Sequence, residues 1–404
     1  MKWASGLMVV GVALASYVLP GTAQATLGSC TDPILLGTTI SETGPQASLT
    51  THWDKMTEDF AKEINKGGGI FLKSCNKKVP IKFVIYDDQS NPAVATSLYE
   101  KMATVDKVDF FVGTDWSFVA LPVTTVAEKY KIPIVCGNVA TPSLFHRGLK
   151  YMWATPYPVT PRWAERYYDM LAHMNPKPKS IYFVTQDNPV FKSITDIWAP
   201  KAEKQGMKVL GRDIFPNDLK DFSSIVLKIR AARPDIIFIS SFDNPSVPLV
   251  QQLRLQRIKA LNVHHTIPSQ ALQEQTKGYG GMEGMTGEMP WAPGVPGDYG
   301  DLTVKVLKEA GLNVFENTAT VTRFVSYLVM MQAIERAGAV DREKVREALY
   351  KGTFKAPSGN ITFDANGFPD TVDLTVQVQH GKFVVVWPPN LASAKPQWPS
   401  PTWQ

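Results

Sequence analysis

The sequence predicts an α/β protein of two doubly wound parallel-sheet lobes, joined by a multi-strand hinge with a ligand cleft between them. Short apolar runs bounded by turn residues alternate with segments of helical period, the pattern of parallel strands covered on both faces. That alternation restarts after Pro156-Tyr157-Pro158-Val159-Thr160-Pro161, where the dense prolines suit a crossing between domains. At 404 residues the chain is also long enough for two domains, each with its own core.

The first run, Ile34-Leu35-Leu36-Gly37-Thr38-Thr39-Ile40, stops at Ser41-Glu42-Thr43-Gly44-Pro45 and reads as a buried strand. Trp53, Met56, Phe60 and Ile64 follow at helical spacing, and Gly67-Gly68-Gly69 ends the helix. Strands are expected at 81–86, 109–113 and 132–136, with helical stretches at 97–105 and 119–131. Beyond the prolines come strand 180–185, helix 191–205, strand 207–212, helix 221–232, strand 235–240 and helix 247–257. Asp221 stands where an N-cap carboxylate accepts from the free amides of a first turn. Residues 278–296 are rich in Gly, Met and Pro and read as a second connection containing Trp291, and 301–350 has helical period. Lobe 1 is accordingly assigned to 26–156 plus about 285–365, and lobe 2 to 157–284 plus about 366–390. Residues 391–404, with Pro396, Pro399 and Pro401, read as a C-terminal surface extension.

Residues 1–25 read as an export signal. Lys2 is their only charge, an apolar core runs from Leu7 to Leu19, and Ala23-Gln24-Ala25 offers a small-residue exit. The apolar core spans about 13 residues, short of the roughly 20 a bilayer requires. Leu27-Gly28-Ser29-Cys30 also fits a lipobox, so a lipoprotein anchored at Cys30 is the alternative. The net charge of +5 is small and dispersed, which argues against nucleic acid as a partner.

Residues 37–44, Gly67-Gly68-Gly69-Ile70, Tyr86-Asp87-Asp88 and Gly359-Asn360-Ile361-Thr362-Phe363-Asp364, in this order and spacing, give the chain a resemblance to the periplasmic binding proteins of the leucine/isoleucine/valine receptor family, which deliver ligand to ABC importers. The resemblance rests also on Ala61-Lys62-Glu63-Ile64-Asn65, Asn91-Pro92, Asp106-Lys107-Val108 and Val112-Gly113. It continues through Ala127-Glu128 and Ile132-Pro133. It implies a first lobe that fixes a ligand carboxylate at Ser117 and at the stretch Asn138 to Thr141, Ala140 included. Hydroxyls and free amides at a helix start can do this without a buried cation. The amino-acid receptors pair the ligand's ammonium with an acidic residue in the second lobe, but the matching stretch here is Thr266-Ile267-Pro268-Ser269-Gln270. An α-amino acid would need Asp187, Asp243 or Asp115 instead, since an unpaired buried ammonium costs several kcal/mol. Trp116, Tyr157, Phe191, Phe242 and Trp291 fall at the same loop positions and could wall an apolar pocket. Ser41, after the first strand, and Gln270 complete the candidate ligand-binding set.

Cys30 and Cys75 precede two neighbouring strands, so a Cys30–Cys75 disulfide is expected in an oxidising export compartment. Cys136 reads as a buried hydrophobe. The six histidines form no His-Glu-x-x-His pattern, and no Gly-x-Ser-x-Gly elbow, Walker-type loop or Gly-x-Gly-x-x-Gly follows a strand. No metal, cofactor or enzymatic activity is therefore expected. The expectation is a monomeric periplasmic solute-binding protein that closes on a branched-chain amino acid, or a related aliphatic or aromatic carboxylate or amide, and docks to an ABC permease. A sensor of the same fold feeding a signalling receptor is the alternative, and an enzyme on this fold is the least supported.

Overall fold

The structure, a computed structural model, describes residue 1, residues 33–155 and residues 162–403. The export segment, Cys30 and Tyr157 lie outside the described residues. In the first lobe, strand β1 (Ile34–Ile40) leads into helix α1 (Trp53–Lys66) and the hairpin β2 (Ile70–Leu72) and β3 (Lys77–Val79). There follow β4 (Ile81–Asp87), α2 (Pro92–Thr104), β5 (Phe110–Val112), α3 (Ser117–Tyr130), β6 (Ile134–Cys136), α4 (Pro142–Phe145) and β7 (Met152–Ala154). These form a five-stranded parallel sheet in the order β4-β1-β5-β6-β7.

In the second lobe come α5 (Glu165–His173), β8 (Ser180–Gln186), α6 (Pro189–Lys204), β9 (Lys208–Phe215), α7 (Ser223–Ala232), β10 (Ile236–Ser240) and α8 (Asp243–Leu255). β11 (Asn262–His265), α9 (Gln270–Thr276) and β12 (Thr286–Met289) extend it. The chain then returns to the first lobe through α10 (Gly300–Glu309), α11 (Thr318–Ala337), α12 (Arg342–Lys351) and the hairpin β13 (Phe354–Ala356) and β14 (Gly359–Ile361). β15 (Leu374–Gln379) and β16 (Lys382–Trp387) close a seven-stranded sheet in the order β16-β15-β12-β11-β10-β8-β9.

The second sheet departs from a purely parallel one. β15 and β16 form an antiparallel edge, turned at His380 (φ 54°) and Gly381 (φ 73°), the two positive φ values a tight two-residue hairpin requires. Side chains alternate across this sheet with strand period. Ile181, Phe183, Ile236 and Phe238 enter one core, and Tyr182, Val184, Ile237 and Ile239 enter the core on the opposite face. α11 is buried nearly all round within the first lobe's core. Its start is fixed by Asn317, whose side chain accepts from the Thr320 amide at 3.0 Å.

The tail is not a surface extension. Trp403 is buried, its indole N–H donates to the Glu283 carbonyl at 3.2 Å, and the Arg254 guanidinium sits 3.6 Å from its ring centre. An aromatic at the end of a proline-rich segment is thereby tied into the second lobe's core.

Candidate functional site

The strand ends of the two lobes face each other across a cavity of about 240 Å³. On the first-lobe side, β5 runs into Gly113, Thr114, Asp115 and Trp116 before α3 begins at Ser117. Gly113 has φ 88°, and a Cβ there would stand 2.3 Å from an Arg323 nitrogen, so both backbone and space require glycine. Arg323, on α11, is fully buried beneath this loop. Its guanidinium pairs with Asp115 and donates to Thr38 Oγ1 at 2.6 Å and to Tyr327 Oη at 2.7 Å. Burial alone would lower the Arg323 pKa, but the adjacent Asp115 carboxylate more than offsets that and raises it. Asn138 Nδ2 donates to Asp115 Oδ1 at 2.7 Å and to the Ala319 carbonyl at 3.1 Å. Asn138 Oδ1 accepts from the Thr322 hydroxyl. Asn138 therefore lines the cavity while its amide is committed to the scaffold.

Ser117 Oγ accepts from the Ala140 amide at 3.1 Å and the Thr141 amide at 3.3 Å. The amides expected at a ligand carboxylate are thus turned onto Ser117, and the hydroxyl proton is what the cluster has left to donate. Thr141 heads α4 without spending its hydroxyl on a capping bond.

On the second-lobe side, β8 is followed by Asn188, which accepts from the Val190 amide at 2.9 Å and starts α6 with Pro189 and Phe191 behind it. Phe242 follows β10 as the N-cap position, and Asp243 opens α8. Asp243 is 2% exposed, and neither carboxylate oxygen has a hydrogen-bond partner. Burial pushes its pKa up to about 7, although the nearby Ser269 hydroxyl, outside hydrogen-bond geometry, favours the ionised form. Asp243 is the one charged side chain in the lining among the described residues.

Aromatic rings supply the walls. Trp116 stacks on Trp53 with centres 6.2 Å apart and meets Phe242 of the other lobe edge-on at 6.0 Å. Phe242 in turn meets Phe191 at 4.8 Å. Of the expected site residues, Trp116, Ser117, Asn138, Ala140, Thr141, Phe191, Phe242 and Asp243 share this lining.

Four expected contacts lie elsewhere. Ser41 stands behind Trp116, accepting from the indole N–H at 3.2 Å and donating to Asp88 at 2.7 Å. Asp187 points to solvent, paired with Lys192 at 2.7 Å. Gln270 joins the lobes, its backbone N–H donating to the Phe315 carbonyl at 2.9 Å and its side chain accepting from Asn313 at 3.1 Å. Trp291 bonds the Val295 carbonyl and lines a different cavity, at the hinge. Asp115, the remaining acidic candidate, is already held by Arg323. Sequence reasoning missed Trp163 and the start of α11, Asn317 to Ala319, which also line the cleft. The Asn-x-x-Thr pattern at 317–320 is an N-cap signal that could have located the second of these.

Two wound sheets whose strand ends enclose one apolar cavity have a counterpart in sequence. The pattern of the periplasmic binding proteins matches residues 33–381. The chain belongs to the periplasmic binding protein family. A leucine-, isoleucine-, valine-, threonine- and alanine-binding protein of Pseudomonas aeruginosa is 26% identical, over 91% of this chain and 94% of its own length. The fold of this periplasmic binding protein is shared with a leucine-binding protein from Thermotoga maritima (TM-score 0.72, 20% identity), with 87% of this chain and 97% of that one aligned. It is shared equally with a solute-binding protein of an ABC transporter from R. palustris, solved with 4-hydroxybenzoate (TM-score 0.72, 19% identity, 92% and 99% aligned). No helix of the described residues is long and apolar enough to cross a membrane, and they contain no cluster of potential metal ligands.

Proposed function

We propose that the protein is an exported, periplasmic solute-binding component of an ABC importer that closes on a small α-amino acid with an apolar side chain. The observation that carries the reading is Asp243, an unpartnered buried carboxylate in a cavity otherwise free of charged side chains among the described residues. A ligand ammonium would relieve its burial, while the Ser117 and Thr141 hydroxyls receive the ligand carboxylate. Trp116, Phe242 and Phe191 suit a branched or aromatic side chain. Delivery to a permease rests on family membership, and export rests on residues 1–25. The Cys30–Cys75 disulfide belongs to the same proposal and would appear as one intact link in non-reducing peptide mapping.

A second reading has its own support. With a pKa near 7, Asp243 in its protonated form can donate a hydrogen bond, so an aromatic carboxylate would also suit the aromatic walls. Calorimetric titration with leucine, phenylalanine and benzoate separates the two. Under the amino-acid reading Asp243→Asn weakens leucine or phenylalanine binding by about 100-fold or more, the cost of leaving one buried charge unpaired. Benzoate binding unaffected by Asp243→Asn, with no amino-acid binding to wild type, would replace the first reading by the second.

A further inference from the structure

Behind the hinge, on neither cleft wall, lies a second cavity of about 220 Å³. Its walls come from Arg166 of α5 and from two passages between the lobes: Trp291 after β12, and Thr371, Asp373 and Leu374 before and into β15. Ser358 and Asn360 of the β13–β14 hairpin complete it from the first lobe. Three polar atoms of this lining are buried without a hydrogen-bond partner: Asp373 Oδ1, Thr371 Oγ1 and Ser358 Oγ. Asp373 is 5% and Thr371 8% exposed. Orphaned buried polar groups are rare because each forfeits its hydration, and three sharing one cavity call for a polar occupant. Across the same cavity Arg166 is half-buried, and the ion pairs of this region go to its neighbour Arg162, which holds Glu165 and Asp370.

We propose that this hinge cavity is a second binding site, for a small zwitterion whose ammonium meets Asp373 and whose carboxylate meets Arg166. The hydroxyls of Thr371 and Ser358 share the polar contacts, and Trp291 and Leu374 cover the occupant's carbon atoms. Burial holds the Asp373 pKa well above the usual carboxylate range, and a bound ammonium is the partner that permits its ionisation. A water cluster would satisfy the hydroxyls, but it would leave Asp373 protonated and give the Arg166 guanidinium no counter-charge. An occupant touching the passages after β12 and before β15 is held differently in the open and closed forms, so its binding is linked to cleft binding. The site does not depend on what the cleft takes.

The test is calorimetric titration of glycine, the smallest amino-acid zwitterion, into full-length protein carrying Ser117→Ala and Asp243→Asn, which disable the cleft. The expected result is uptake of one equivalent, weakened about tenfold or more when Asp373→Asn or Arg166→Gln is added. Acetate and methylammonium, each carrying half of the charge complement, should bind detectably more weakly than glycine. Should Asp373→Asn not fold, the half-buried Arg166→Gln carries the same comparison. No glycine uptake by the cleft-disabled protein, or uptake insensitive to both hinge substitutions, overturns the site. Loss of leucine binding in that background reports on the cleft alone.

Discussion

Asp243 sets the chemistry of the cleft and also weakens the empty protein. Its pKa rises from 3.8 to about 7 on folding, so between those values the folded state holds a proton that the unfolded chain has released. Ligand-free stability therefore falls as pH rises through that window, and what is lost is of the order of a few kcal/mol. Asp243→Asn removes the ionisation. The variant should melt higher than wild type near pH 8 and about level with it near pH 4. Equal melting differences at both values would mean that the carboxyl is not desolvated as the structure has it. Ser117 makes the converse case. Its hydroxyl is held by two amides and has a proton left to give, so Ser117→Ala should weaken a carboxylate ligand by about 1.5–3 kcal/mol, the worth of one hydrogen bond to a charged group. Unchanged affinity in a titration would remove Ser117 from the site.

At the scale of elements, the cleft-facing loops of the first lobe are positioned by α11. Arg323 reaches from that helix to Thr38 at the end of β1 and to Asp115 after β5, and Asp115 holds Asn138 after β6. Three strand ends are thus set by one guanidinium. Arg323→Met keeps the length and apolar stem but leaves Asp115 buried without its cation, which costs about 3–5 kcal/mol. Chemical denaturation should show a loss of that size, and adding Asp115→Asn should recover much of it; a double variant no more stable than the single would show that the pair does not act as one unit. This network explains what was legible in the sequence and what was not. The strands and helices could be read from their own periodicities, and Trp116, Ser117 and Thr141 from their places after strands, because local pattern determines both. The start of α11 and Trp163 lie far along the chain from the first-lobe loops and reach the cleft only through tertiary packing. Ser41, Asp187 and Trp291 also stand at strand ends or crossings, but each side chain has a nearer partner: Asp88 and the Trp116 indole, Lys192, and the Val295 carbonyl. Position along a chain places a residue near a cleft; competition among neighbouring polar groups decides where its side chain points.

At the scale of the molecule, two of the hydrogen bonds between the lobes lie outside the cavity lining. Asn244 Nδ2 donates to Ser48 Oγ at 3.1 Å, and Asn313 Nδ2 donates to the Gln270 side chain at 3.1 Å, each bond joining one lobe to the other. Neither Asn244 nor Asn313 lines the cleft, so neither is positioned to touch a ligand. If closure on a ligand is the working motion, these bonds exist in the closed form and are absent from the open one. A ligand that binds the closed form is then weakened in proportion as that form becomes scarcer. Asn244→Ala and Asn313→Ala each remove about 0.5–1.5 kcal/mol from the closed form, so each should raise the measured Kd about two- to tenfold. The two bonds share no partner, so the two effects should add in the double variant. Small-angle scattering supplies the second readout: ligand should shrink the radius of gyration of wild type, and at equal subsaturating ligand the variants should shrink less. The melting temperature of the ligand-free Asn244→Ala variant should stay at the wild-type value, because the open form never made that bond, whereas Asn313 also accepts from the Phe315 amide at 2.7 Å within its own lobe. A Kd left unchanged by both substitutions, or a ligand-free melting temperature lowered by Asn244→Ala, would place these bonds in a fixed interface and remove hinge closure from the account.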